Sequence, residues 1–172
     1  MRLTFRVNLF IISYASGIYQ VWRKNMENTI KSEHMQIVNS QDSYQEAIRL
    51  AAKPLLDDGY ITEKYIDDMI QALQDYGPYI VLADEFAMPH ARPSEAVKET
   101  GLSLLVVKDG VDLMDNHVKL FIVLAAKNST DHTELLGSLA EFLMEKENIK
   151  DVINSDDIET IQNILKERWK TS

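Results

Sequence analysis

The chain carries four histidines, His34, His90, His117 and His132, and no cysteine, so covalent chemistry near neutral pH falls first to imidazole. His90 stands in Ala87-Met88-Pro89-His90-Ala91-Arg92-Pro93, between two prolines that fix φ and remove two backbone donors. A loop so restricted is a good mount for a reactive side chain. Arg92, two residues on, can offer a guanidinium to an incoming anionic group, most naturally a phosphoryl, for which imidazole is the neutral nitrogen nucleophile. On spacing alone, a turn histidine that merely follows a proline is the commoner case. His132 comes 42 residues later in the first turn of a predicted helix, where free N–H groups and positive potential favour an anion. Two histidines, an arginine and a helix start form a candidate phosphate site. Taken without His90, His132 reads as a tolerated first-turn residue. His34, in a segment of foreign composition, and His117, in the polar turn Asp115-Asn116-His117, read as solvated surface.

Other chemistries find less support. No histidine pair lies at i, i+4 and no HExxH is present. A metal would need two distant histidines plus carboxylates such as Asp131 or Glu134, so none is expected. GxGxxG, GxxxxGKS/T and GxSxG are all missing, and neither ATP, nicotinamide nor any other cofactor is expected. With 18 Lys+Arg against 27 Asp+Glu the net charge is −9, which opposes a nucleic acid or an anionic membrane as partner. The lack of cysteine rules out a disulfide framework and fits a reducing compartment.

The elements that must hold these residues can be read from periodicity. A chain of 172 residues, 45% hydrophobic, suffices for one globular domain that buries about 70% of its unfolded surface. Residues 1–34 stand apart, with five basic and two acidic residues, so their net +3 leaves −12 on the remainder. Arg2 and Arg6 before the apolar Val7 to Ala15 outline a secretory signal, but Asn8, Ser13, Ser16, Gly17 and Gln20 keep the stretch short of the ~18 to 20 apolar residues of a spanning helix. Three readings stay open: a weak signal or anchor, an extra amphipathic element, or an extension, non-native or disordered, ahead of an internal start at Met35. The extension is preferred because the helical pattern begins cleanly only after Met35, which places the domain at 35–172.

Within it, Ser43 with Glu46 marks a capping box, and Ala47, Ile48, Ala51 and Leu55 predict a helix over 43–57, with Pro54 bending or ending its last turn. Thr62 is expected to cap a second helix, through Ile66, Met69, Ile70 and Leu73, that ends at Tyr76-Gly77-Pro78. Two helices thus precede the first predicted strand, Tyr79 to Ala83. Leu102 to Val107, bounded by Lys108-Asp109-Gly110, and the continuously apolar Val118 to Ala126 give two more, the last covered on both faces. Asp131 with Glu134 is expected to open a third helix, and Asp156 with Glu159 a fourth. The fold class is α/β, α+β-like: a single domain with a mixed β-sheet sandwiched between helix layers.

MPHARP after a strand, then GLSLLVVKDGVDL, VKLFIVLAA and DHTELLGSLAEFL, resembles the enzyme IIA domain of the mannitol/fructose type of the sugar phosphotransferase system, from about Ser43 to Lys166. Gly77-Pro78-Tyr79 with AMPHARP is most similar to the ascorbate-type subgroup. The resemblance implies that His90 accepts a phosphoryl group from the phosphocarrier HPr and passes it to a cysteine of a separate IIB component, and through it serves the membrane IIC component. It implies that His132 steadies the phosphoryl and that the protein is a cytoplasmic phosphotransferase. Many members carry an Arg-Glu pair at the end of the second helix. Here that region reads Ile70-Gln71-Ala72-Leu73-Gln74, and Arg92 is expected to take over the charge role. A regulatory module of the same family, receiving phosphate to control another protein, is the alternative; an interaction domain with an inert His90 is a third, weaker reading.

Overall fold

The computed structural model describes residues 30–169, and the signal, amphipathic and extension readings of residues 1–29 lie outside them. A 3-10 turn at Ser32–His34 leads into β1 (Met35–Val38), followed by α1 (Tyr44–Asp57), α2 (Glu63–Tyr76), β2 (Val81–Ala83), β3 (Glu85–Ala87), β4 (Gly101–Leu113), β5 (Asn116–Ala125), α3 (Ser129–Met144), α4 (Lys146–Asn154) and α5 (Ile158–Arg168). The strands form one mixed sheet in the order β1-β4-β5-β3-β2, with β1 parallel to β4, β3 parallel to β5, and antiparallel pairing for β4 with β5 and β2 with β3. This is the expected mixed sheet between helix layers.

Alternation along the two long strands builds both layers. Leu105, Val107, Phe121 and Val123 face α1 and α2, packing on Ala47, Ala51, Leu55, Ile66 and Met69. Leu104, Val106, Leu120, Ile122 and Leu124 face the other side, with Leu135, Leu139, Phe142, Val152, Ile161 and Leu165 of α3, α4 and α5. β5 therefore lies in the middle of the sheet, covered on both faces, as its unbroken apolar run demands.

Several expectations need correction. β1 precedes the helices, so the first strand comes before α1. The run expected as one strand over Tyr79 to Ala83 is strand only from Val81, and a second short strand, β3, is the one that feeds the His90 loop. β4 does not stop at Lys108-Asp109-Gly110: the register shifts between Val106 and Val111, and Gly110 takes φ +74°, with the His117 ring where a Cβ would sit. At the head of α2, Thr62 occupies the cap position without capping through its side chain. The cap of α3 is Asn128, whose side chain accepts from Asp131 N, and Asp131 itself lies within the first turn. α4 had no counterpart in the sequence reading.

His34 is buried and not solvated. Its Nε2 lies 2.8 Å from Asp58 Oδ2, and its ring meets Tyr60 edge-on at 5.4 Å. Ile30 is buried as well, in the layer of α3 to α5. Pro54 remains inside α1, which runs on to Asp57. Proline removes the donor that Leu50 O would have met four residues on, and Gln36 Nε2 of β1 supplies it at 2.7 Å.

Candidate active site

β3 and β5 run parallel, so the loop after β3 and the helix start after β5 leave the sheet at the same end. His90 is on the first and His132 on the second, and their ring centroids lie 5.4 Å apart. Each ring is partly buried. Both line a cleft of about 630 Å³ together with Asp68, Ala72, Tyr76, Tyr79, Arg92 and Ser94. The residues singled out by spacing are thus brought to one place.

The His90 loop is pinned at four consecutive residues, Met88 to Ala91. Met88 N donates to Ile80 O at 2.8 Å, Leu124 N to Pro89 O at 3.0 Å, Tyr79 Oη to His90 O at 2.6 Å, and Ala91 N to Tyr65 Oη at 3.1 Å. The Tyr79 ring also stands edge-on to the imidazole at 5.2 Å. Further along, Lys98 N donates to Tyr60 O and Thr62 N to Ala96 O, so the α1–α2 connection holds the outgoing strand of the loop. With both prolines removing donors, these partners come from outside the loop.

His90 Nδ1 lies 2.8 Å from Met88 O. A carbonyl only accepts, so Nδ1 carries the proton and Nε2 keeps its lone pair. Burial pushes the His90 pKa below the ordinary histidine range; the bond to Met88 O opposes this, and His132 adds a smaller downward push. The imidazole is held neutral, oriented and nucleophilic.

His132 is positioned by the α3 cap. Its N–H donates to Asn128 O, while Thr100 Oγ1 donates to Asp131 Oδ2 and accepts from Lys127 N, tying the helix start to the segment before β4. His132 Nδ1 is buried without a hydrogen-bond partner. A buried N–H with no acceptor is disfavoured, so the neutral ring holds its proton on Nε2 and is a donor there. Arg92 is exposed at the rim of the cleft, and among the described residues no carboxylate pairs with it. Ala72 lines the cleft from α2, in the stretch without the Arg-Glu pair, and Asp68 one turn earlier is bound by Lys64 at 2.7 Å. His117 is elsewhere, against Asp112 Oδ1 at 2.8 Å. Spacing missed Tyr65, Tyr79 and Thr100. A tyrosine in the apolar stripe of α2 is the one sequence signal of these three, since a buried phenol needs a partner.

The family model for the phosphoenolpyruvate-dependent sugar phosphotransferase system, EIIA 2, matches residues 28–168. The mannitol-specific phosphotransferase enzyme IIA component of Geobacillus stearothermophilus is 35% identical over 141 residues, which cover 80% of this chain and 95% of that protein. The ascorbate-specific PTS system EIIA component of Mycoplasma pneumoniae is 31% identical over 133 residues, covering 74% and 83%. The solution structure of the mannitol-specific cryptic phosphotransferase enzyme IIA from Escherichia coli matches with a TM-score of 0.76 at 31% identity, over 81% of this chain and 97% of that one. No helix among the described residues is long and apolar enough to cross a membrane.

Proposed function

The chain belongs to the EIIA 2 family of the phosphoenolpyruvate-dependent sugar phosphotransferase system, where it is a phosphoryl carrier, and we propose that His90 is the residue that carries the group. The observation behind this is the bond from His90 Nδ1 to Met88 O, which leaves Nε2 as a free lone pair beside His132. In the first transfer, Nε2 attacks the phosphorus of the phosphohistidine of HPr. The new N–P bond forms as the donor's N–P bond breaks, and the electron pair returns to the donor ring. No proton has to leave His90, because Nδ1 already holds it.

His132 Nε2–H and the start of α3 are suited to the equatorial oxygens, and Arg92 swings from the rim to add a guanidinium. The next acceptor is a cysteine thiolate of a IIB component, and these 172 residues hold no cysteine that could take the group instead. That thiolate attacks phosphorus, the His90 N–P bond breaks, and the neutral imidazole is restored. The site of action is cytoplasmic, where HPr and a reduced thiolate are both at hand.

The test begins with phosphoenolpyruvate, enzyme I and HPr, with acid-labile phosphate located by mass spectrometry. Label is expected on His90 and absent from His90→Ala; label that persists in the variant overturns the assignment. Phospho-protein mixed with the IIB component encoded beside it is expected to lose its phosphate, and a IIB variant with cysteine replaced by serine to leave it in place. No discharge by any encoded IIB component favours the regulatory role.

A further inference from the structure

Tyr65 is fully buried on α2, yet its hydroxyl meets two separate parts of the site. It donates to Leu124 O at 2.8 Å, the nearer of two acceptors, with Ala91 O at 3.3 Å, and it accepts from Ala91 N at 3.1 Å. Leu124 N donates to Pro89 O at 3.0 Å. His90 is therefore flanked by two ties that converge on one residue of β5, directly from Pro89 and through the tyrosine from Ala91. β5 leads on through Ala126 to the Asn128 cap and His132.

We propose that Tyr65 is a positioning residue for phosphoryl transfer, its hydroxyl closing a backbone ring around His90 that fixes the imidazole against the strand carrying His132. The proposal rests on the reading of His90 as the phosphoryl acceptor. Without the hydroxyl, the ties at Met88, Pro89 and His90 survive but Ala91 loses its anchor to β5, so the side of the loop that follows His90 loosens and the two rings lose their register while the core keeps its aromatic ring. Burial pushes the Tyr65 phenol up to about 12, so the hydroxyl keeps its proton throughout the working range and the tie does not titrate away. A phenylalanine would fill the same space and supply neither donor nor acceptor.

The experiment compares wild type, Tyr65→Phe and Ile66→Val, the last as a control for a small core defect on the same helix. Tyr65→Phe is expected to remain folded and to accept phosphoryl from phospho-HPr about 10- to 100-fold more slowly, the scale of a misplacement near 1 Å. Its His90 titration, followed by NMR, is expected to move up toward the ordinary histidine value as burial and the His132 contact relax. Ile66→Val is expected to alter the melting temperature only. A wild-type rate with an unmoved His90 midpoint in Tyr65→Phe overturns the proposal.

Should that variant fail to fold, hydrogen exchange in the wild type decides. The Ala91 amide is expected to be protected like the β5 amides, and exchange at the rate of an exposed loop would refute the tie. If the wild type took no phosphoryl at all, the carrier role of His90 would fall, whereas the titration and the Ala91 exchange would still report on Tyr65.

Discussion

Among the described residues His34 is buried and His90 partly buried, and the two differ in what faces the ring. His34, at the foot of β1, points Nε2 at a carboxylate, Asp58, whose own pKa is held below the usual range chiefly by that hydrogen bond. His90, at the end of β3, points Nδ1 at a backbone carbonyl. A carboxylate would favour imidazolium and blunt the nucleophile, whereas a carbonyl fixes the tautomer without adding a full charge. The first arrangement anchors the N-terminal turn to α1; the second leaves a lone pair available for chemistry. Burial of a histidine by itself therefore says little about function, and the partner atom says much.

Breaking the site should cost transfer and spare the fold. Beyond the loss of label in His90→Ala, the largest expected effect is at the two residues proposed to meet the phosphoryl. His132→Ala and Arg92→Ala should each slow acceptance roughly 30-fold or more, since removing one contact to a transferring group is worth about 2 to 4 kcal/mol, while label still arrives on His90. Rapid-quench rates decide this, and wild-type rates in both variants would leave the pair without a role. Arg92 is the sharper probe, because it is exposed and its loss should leave the melting temperature unchanged.

Breaking the anchor should do the opposite. His34→Ala removes a buried ring and a hydrogen bond to a charged acceptor, an expected loss of about 2 to 3 kcal/mol measured by urea unfolding, with the transfer rate per folded molecule unchanged. The Asp58 titration should move up in the variant, because its main source of stabilisation is gone. A variant as stable as wild type would show that this anchor adds nothing to the fold.

How far these roles could be read beforehand depended on the distance to each partner. α1 and α2 were legible from Ser43, Glu46 and the apolar spacing, and β5 from its unbroken run, because those signals are local. His90, Arg92 and His132 were legible because proline restriction and a helix start are also local. His34 was not: its partner lies 24 residues on, and the basic composition of 1–34 concealed it. Tyr65 showed only as a tyrosine in an apolar stripe, and its partners, 26 and 59 residues away, were beyond reach for the same reason. The cap of α3 was misplaced by three residues because asparagine and aspartate cap equally well, and only the chain direction out of β5 selects Asn128. β1 is four residues without strict alternation, too short to register.

The smallest expected effect tests the comparison through protons. The His90 pKa is below its ordinary 6.5, so between the folded and unfolded values the unfolded chain holds a proton that the folded chain lacks. Stability then falls as pH drops through 6.5 and levels off below the folded value. The groups facing this imidazole from the cleft are His132, Tyr79, Arg92 and Asp68, none of which is a free carboxylate at bonding distance to rescue the cation. Asp58 works in another window. Its depressed pKa contributes stability present above 3.8 and lost as pH falls through the folded value, so it is silent near neutrality. Urea unfolding of wild type and His90→Gln between about pH 7.5 and 5.5 separates the two, the range being set by the ordinary histidine value. Wild type should lose stability relative to the variant as the solution is acidified. Parallel curves would mean that the imidazole is no harder to protonate in the fold than out of it, and the contrast between the two histidines would then rest on geometry alone.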